Sequence, residues 1–395
     1  MAVSLRPLTT NPVEQSDRGT YLYISLFSAV LYTVLLTAPV VAGKLTEQFA
    51  ASPSQVGALL SAELGAFSLA TIPAYLWLRR VNLRTATYFF AVIVILGNLV
   101  SGFIDSFVLL AMARVITSLA AGSITVIILT LSRKTANPSR AFGLFVVFQL
   151  AMGALILAVF PTLYADAEVG AIYWTLAGLA VLCLPVVRGI DGEALRAPAL
   201  TDAADKPKLS LSKLVLGLAS VLLFYVALSG VWSFMAQISA EAGIALSPTS
   251  LVLSIATVAG IVSALLATVL GDTPRRGLYL RLGFIGMILS VFLLLGTPGL
   301  IQFAAAAIIF KFAWTLILPY LLSTLGDAGG SQVMNTTNLM IGTGFVLGPM
   351  IGGTLIERAG MTSMLVFSLV MVAASLLCVL VVQHRPAEIK QEPLR

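Results

Sequence analysis

"IDGEALRAPALTDAADKPKLSLS", residues 190–212, is a long polar stretch in a chain otherwise dominated by apolar runs. Its Ala, Pro, Asp and Lys content is that of a flexible linker. Six apolar runs precede it, at 20–42, 55–78, 85–104, 106–130, 141–163 and 169–189. Six follow, at 213–236, 249–270, 278–297, 299–322, 332–355 and 361–383. About 20 such residues suffice for a helix to cross a hydrocarbon layer roughly 30 Å thick. Charged residues make up 10% of the 395, where a soluble chain carries about 25%. Buried in lipid, each segment must satisfy its own backbone polar groups, which makes the runs helices. The alternating strands of a membrane barrel are not seen. The expected fold is therefore an all-α polytopic membrane protein, with twelve transmembrane helices in two pseudo-symmetric six-helix bundles. Its divisions are a tail at 1–19, a bundle at 20–189, the linker at 190–212, a second bundle at 213–383 and a tail at 384–395.

Orientation follows from Lys and Arg. With the amino terminus in the cytoplasm, inside segments hold nineteen of the 23 basic residues, Arg79, Arg80, Arg84, Arg133, Lys134 and Arg140 among them. Outside segments hold only Lys44 and Arg358. This positive-inside bias places both termini in the cytoplasm of an inner membrane. It also accounts for the net charge of +6 without nucleic acid. Residues 1–19 are polar, include Arg6 and Arg18, and read as a tail rather than a cleaved leader. Cys183 and Cys378 lie inside apolar runs and read as inert core thiols, and the single histidine, His384, follows the last run. Its position argues against a histidine metal site and an intramembrane histidine relay. No G-x-x-x-x-G-K-[ST] loop is present, so no ATP site, cofactor or enzyme active site is expected.

The two halves repeat. "SPSQVG" at 52–57 and "SPTSLV" at 247–252 lead the second and eighth helices, and at the same offset Gly65 falls on Gly260. Parallel repeats of this kind place a substrate between the halves near the midplane. Against that background "GFVLGPMIGG", 344–353, resembles the G-x-x-x-G-P-x-x-G-G pattern of the major facilitator superfamily through Gly344, Gly348, Pro349, Gly352 and Gly353. Small residues there let helices approach closely, and the proline bends the helix. "GDTPRRG", 271–277, resembles the family's short cytoplasmic loop, with Asp272, Arg275 and Arg276. "ARVITSLAAG", 113–122, is similar to its fourth-helix motif, which begins with a membrane arginine. The first-half loop, 76–84, keeps its arginines but lacks the Gly and Asp, and the fifth helix keeps Gly153 without a Gly-Pro pair. That fifth-helix motif marks the family's proton antiporters, so export does not follow from the resemblance. What does follow is a secondary transporter whose two halves rock about a central site.

Away from the helix ends, the apolar runs hold three charged residues: Glu63, Arg114 and Lys311. A carboxylate near the bilayer centre costs roughly 2.5–3.5 kcal/mol on insertion scales, so it marks function or a pair. Glu63 and Arg114 lie at similar depth, about 12 Å down the second and fourth helices. Glu63 is the expected proton-coupling group, with Arg114 tuning it; a fixed pair that locks packing is the alternative. Lys311 sits 197 residues after Arg114, at a nearly equivalent place in the other half. With no deep acidic partner, it is expected to face a water-filled cavity and contact substrate. One acid and two bases favour an anionic solute, an organic or aromatic acid. Trp314 shares the helix face of Lys311, and Tyr225 shares a face with Trp232, giving an aromatic wall for the solute or, as such stripes more often do, packing and interfacial anchors. Tyr32, Gln149 and Asn338 are further substrate candidates, each equally readable as a helix-to-helix contact. The expected partners are the solute, protons and the bilayer, with the chain acting as a monomer. An exporter of drugs or lipophilic metabolites is the alternative within transport; a membrane sensor or assembly factor is the alternative outside it.

Overall fold

The computed structural model describes residues 12–164, 166–193, 211–271, 275–326 and 330–383. Among the described residues, twelve helices are long and apolar enough to cross a membrane. They are α1 (Asp17–Phe49), α2 (Pro53–Trp77), α3 (Leu83–Ser101), α4 (Phe107–Ser132), α5 (Pro138–Leu163), α6 (Val169–Gly189), α7 (Leu211–Ser233), α8 (Leu246–Leu270), α9 (Arg276–Leu293), α10 (Leu300–Leu325), α11 (Thr336–Ala359) and α12 (Met361–Gln383). No strand occurs among the described residues. Asp272 and residues 194–210 of the linker lie outside them.

Local chemistry sets the helix ends. Ser52 and Gln55 form a reciprocal capping box ahead of α2, with Pro53 in the first turn. Asn82 caps α3 through the Arg84 and Thr85 amides, and Asn137 caps α5 through that of Arg140. Prolines set the interruptions. Pro73 cannot bond back to Leu69, and α2 is broken at Ala70, one residue on. Pro185 opens the 3₁₀ turn, Leu184–Gly189, that finishes α6. In α1, Pro39 leaves the carbonyl of Leu35 without its intrahelical donor. Helix already begins at Pro12, ahead of the first apolar run, and α1 continues past that run to Phe49. Lys44 and Glu47 on its last turns are paired at 3.1 Å.

The halves pack as related units. In the first, α2 lies on α4; in the second, α8 lies on α10. Between halves, α2 packs on α11 and α5 on α8. The α2–α11 seam is tightest away from the basic loops. There a Cβ on Gly57 would overlap the Pro349 carbonyl, and one on Gly353 would overlap that of Pro53. The Ser54 amide donates to Glu357 Oε2 at 3.1 Å and Gln237 Nε2 to Thr46 Oγ1 at 3.1 Å, tying the halves together on that side. Gly344 and Gly348 face α7, where Ser229 Oγ donates to the Gly344 carbonyl at 3.0 Å. Gly352 packs beside Phe234 and Met364. Phe89, Leu96, Leu182, Ile285, Phe292 and Leu377 are largely exposed, a surface that suits hydrocarbon rather than water.

Candidate functional site

A cavity of about 710 Å³ opens between the halves on the side that carries the basic loops. That volume is ordinary for a small-molecule site. Its deep end is lined by Tyr32, Glu63, Asn98 and Arg114, and the facing wall is Asn338, Ile341 and Phe345 from α11. Arg79 and Arg133 line its outer part. The tight α2–α11 seam closes the opposite side.

Glu63 and Arg114 meet. Arg114 Nε donates to Glu63 Oε1 at 2.7 Å, and Nη2 reaches the same oxygen. Nη1 donates to Asn98 Oδ1 at 2.7 Å, and the guanidinium carbon lies 4.4 Å from the centroid of the Tyr173 ring. Ser118 Oγ adds a long contact to Oε1, 3.4 Å. Both charged residues are 1% exposed. Glu63 Oε2, in contrast, has no hydrogen-bond partner, an uncommon state for a buried polar atom. Helices α2, α3, α4 and α6 thus converge on one ion pair whose second carboxylate oxygen is uncommitted. Sequence reasoning missed Asn98, Ser118 and Tyr173. The lone amide within the apolar run of α3 was a usable signal for the first; nothing marked the other two.

Lys311 lies elsewhere. The described lining of the cavity leaves out Lys311, Trp314, Trp232, Tyr225 and Gln149. Instead of water, Lys311 Nζ faces two indoles, 3.6 Å from the Trp314 centroid and 3.9 Å from that of Trp232. It is fully buried and has no hydrogen-bond acceptor. Each desolvated cation–π contact is worth about 2 kcal/mol or more, against several kcal/mol for burying the ion. The two contacts together are of the same order as that cost. Tyr225 packs edge-on against Phe345, with Gly344 beside it. Gln149 Oε1 is buried without a partner. Arg276 lies within 3.4 Å of Ser323 Oγ. No group of histidine, cysteine or acidic residues that could hold a metal occurs among the described residues.

Twelve spans in two matched halves, with a cavity open to one side of their interface whose largely apolar wall carries a buried ion pair, define a membrane-carrier class of fold. The chain belongs to the Major Facilitator Superfamily, whose family model matches residues 22–337. It is a transporter-family protein and not an enzyme. The fold is similar to that of the nucleoside transporter NupG, at a TM-score of 0.71 and 12% identity over 92% of this chain and 98% of that one. It is similar to a bacterial homologue of the human lysosomal transporter Spinster in an inward-facing, occupied conformation, at 0.70 and 15% over 94% and 97%. The human organic anion transporter MFSD10 (TETRAN) matches at 0.66 and 13% over 94% and 100%. No curated protein matches in sequence at a significant level.

Proposed function

We propose that the chain is a secondary transporter moving a small organic anion by proton-coupled alternating access across the cytoplasmic membrane. Both termini lie on the cytoplasmic side, the side to which the basic loops and the cavity belong. Glu63 carries the proton, Arg114 tunes it, and Tyr32 and Asn338 contact the solute from opposite walls. The observation that carries this reading is the buried Glu63–Arg114 pair in the cavity wall, with Glu63 Oε2 unpartnered. A proton on Oε2 neutralises the carboxylate without displacing a hydrogen bond. It also cancels the only negative charge of a described lining that otherwise holds Arg79, Arg114 and Arg133. An anion entering that field is favoured, and it is favoured more when the proton is aboard. Charge balance therefore couples the two species in one direction.

A second reading rests on the apolar part of the same wall, where Val30, Leu64, Phe67 and Phe345 suit a lipophilic compound. The two are separated by proton flux in proteoliposomes, on adding aromatic acids or lipophilic cations, for wild type and Glu63→Gln. Anion-driven flux lost in the variant is the expected result. Flux driven only by cations transfers the case to an exporter. Equal proton flux in both proteins overturns Glu63 as the coupling group.

A further inference from the structure

The Lys311 clamp is fastened to the other half of the molecule. Trp232, whose face holds the ammonium, donates its indole Nε1–H to the backbone carbonyl of Leu35 in α1 at 3.0 Å. That carbonyl is available because Pro39, four residues on, brings no N–H to it. Leu35 itself lines the cavity, so Trp232 stands directly behind the cavity wall with Lys311 beyond it. Phe310 stacks on Trp232 at 8° between planes, and Trp314 meets it edge-on, so the indole is held from several sides. The lysine stem lies against Gly260, where a Cβ would come within 3.1 Å of Lys311 Cγ. The packing presses the ammonium towards the indoles and leaves it no alternative partner among the described residues.

We propose that Lys311 is a conformation-gated anion site. It is shut in this state by an indole that bonds to the opposite half, and it is exposed when the halves separate on the side away from the basic loops. In the shut state the rings of Trp232 and Trp314 occupy the faces a carboxylate would use. Closing the seam docks Trp232 on Leu35, returns the clamp to the ammonium and displaces the anion into the cavity below. In the open state the dock is broken, and Lys311 meets the solute as an unpaired cation. Affinity for the anion is thereby high on one side and low on the other, which a carrier needs in order to release its cargo. The inference rests on the anion-transport reading above, and its labelling test does not.

The test uses the full chain in proteoliposomes, with Cys183 and Cys378 replaced by alanine. The thiol of a Lys311→Cys variant is probed with a membrane-impermeant methanethiosulfonate added to either side. Labelling is expected only from the side opposite the basic loops. Adding Trp232→Phe, which keeps a ring but removes the bond to Leu35, is expected to speed it about tenfold. Equal labelling from both sides, or no response to Trp232→Phe, overturns the gate. The second readout is the half-saturating concentration of whichever panel acid drives the largest wild-type flux. Lys311→Gln is expected to raise it about tenfold or more from the side opposite the basic loops, with little change from the other, and Lys311→Arg to recover most of it. Equal shifts from both sides, or none, overturn the anion site. If no acid drives flux, the transport reading falls while labelling still decides the gate.

Discussion

If Glu63 carries the transported proton, the bundle must tolerate its neutral form, and the geometry says how well. Arg114→Met removes the guanidinium and leaves a carboxylate 1% exposed, with only the 3.4 Å contact to Ser118 on Oε1. Removing one member of a buried pair costs about 3–5 kcal/mol. Glu63→Gln has the shape and charge of protonated Glu63. Its amide oxygen can still accept from Arg114 Nε, its nitrogen falls where Oε2 has no partner, and Arg114 keeps Asn98 and the face of Tyr173. The expected loss is about 1–2 kcal/mol, the difference between a charge-assisted and a neutral hydrogen bond. One kcal/mol shifts Tm by about 2–4 °C for a unit of roughly 150–250 residues, the size of one bundle. Arg114→Met should therefore fall by about 6–20 °C and Glu63→Gln by about 2–8 °C. The assay is thermal unfolding in detergent at one scan rate, followed by thiol reactivity at Cys183, a buried reporter in α6 of the same bundle. A Glu63→Gln loss as large as that of Arg114→Met would falsify the reasoning, because the carboxylate would then be a strut that cannot be protonated in place.

The seam between α2 and α11 makes a sharper steric demand. Gly353→Val drives a side chain into the Pro53 carbonyl, so the closed side should open, thiol labelling from that side should rise, and transport should fall about tenfold or more; unchanged transport sinks the closure argument. Asn98→Leu deprives Arg114 Nη1 of its acceptor and should cost about 1–3 kcal/mol in the same thermal assay, while an unshifted Tm would mean that bond contributes nothing. Tyr32→Phe removes one cavity hydroxyl and should raise the solute KM about fivefold, the equivalent of about 1 kcal/mol, with kcat nearly unchanged. A fall in kcat at constant KM would move Tyr32 from solute contact to conformational change.

Lipid makes the spans legible in sequence, because each must be apolar for about 20 residues and satisfy its own backbone. The same rule exposes the site charges: Glu63, Arg114 and Lys311 stand out since every neighbour along the chain is apolar. Matching depth on neighbouring helices anticipates the contact of Glu63 with Arg114. Helical spacing likewise puts Trp314 on the face of Lys311, and the two touch. Contacts that depend on how helices turn towards one another are not readable in this way. Tyr173 beneath Arg114 and Trp232 against Lys311 come from helices whose rotation no local pattern fixes. Arg79 and Arg133 read in sequence only as orientation signals, yet both line the cavity. Lys311 reads as facing water, because an unpaired membrane cation usually does; the structure substitutes two aromatic faces for solvent.

That substitution gives the repeat its interest. Arg114 on α4 and Lys311 on α10 occupy related places, and α2 and α8 pack on them in related ways. Glu63 answers Arg114, but its counterpart at the 195-residue offset is Val258, half exposed on the apolar surface of α8. Gly260, which matches Gly65, is the residue that meets Lys311. The first half therefore neutralises its cation internally, and the second leaves its cation without a carboxylate among the described residues. On the proposed function, two equivalent sites with opposite provision would divide the work: the paired one suits a species that arrives as a cation and binds a carboxylate, the unpaired one a species that brings its own negative charge. Two unpaired sites would leave the proton nowhere to go. Loss of the coupling pair by Glu63→Gln and loss of the anion site by Lys311→Gln should accordingly leave different signatures. The first is expected to uncouple proton flux from solute, and the second to weaken solute binding from one side while the remaining flux stays coupled. Should both variants produce the same defect, the two halves are not specialised and the asymmetry is only a packing difference.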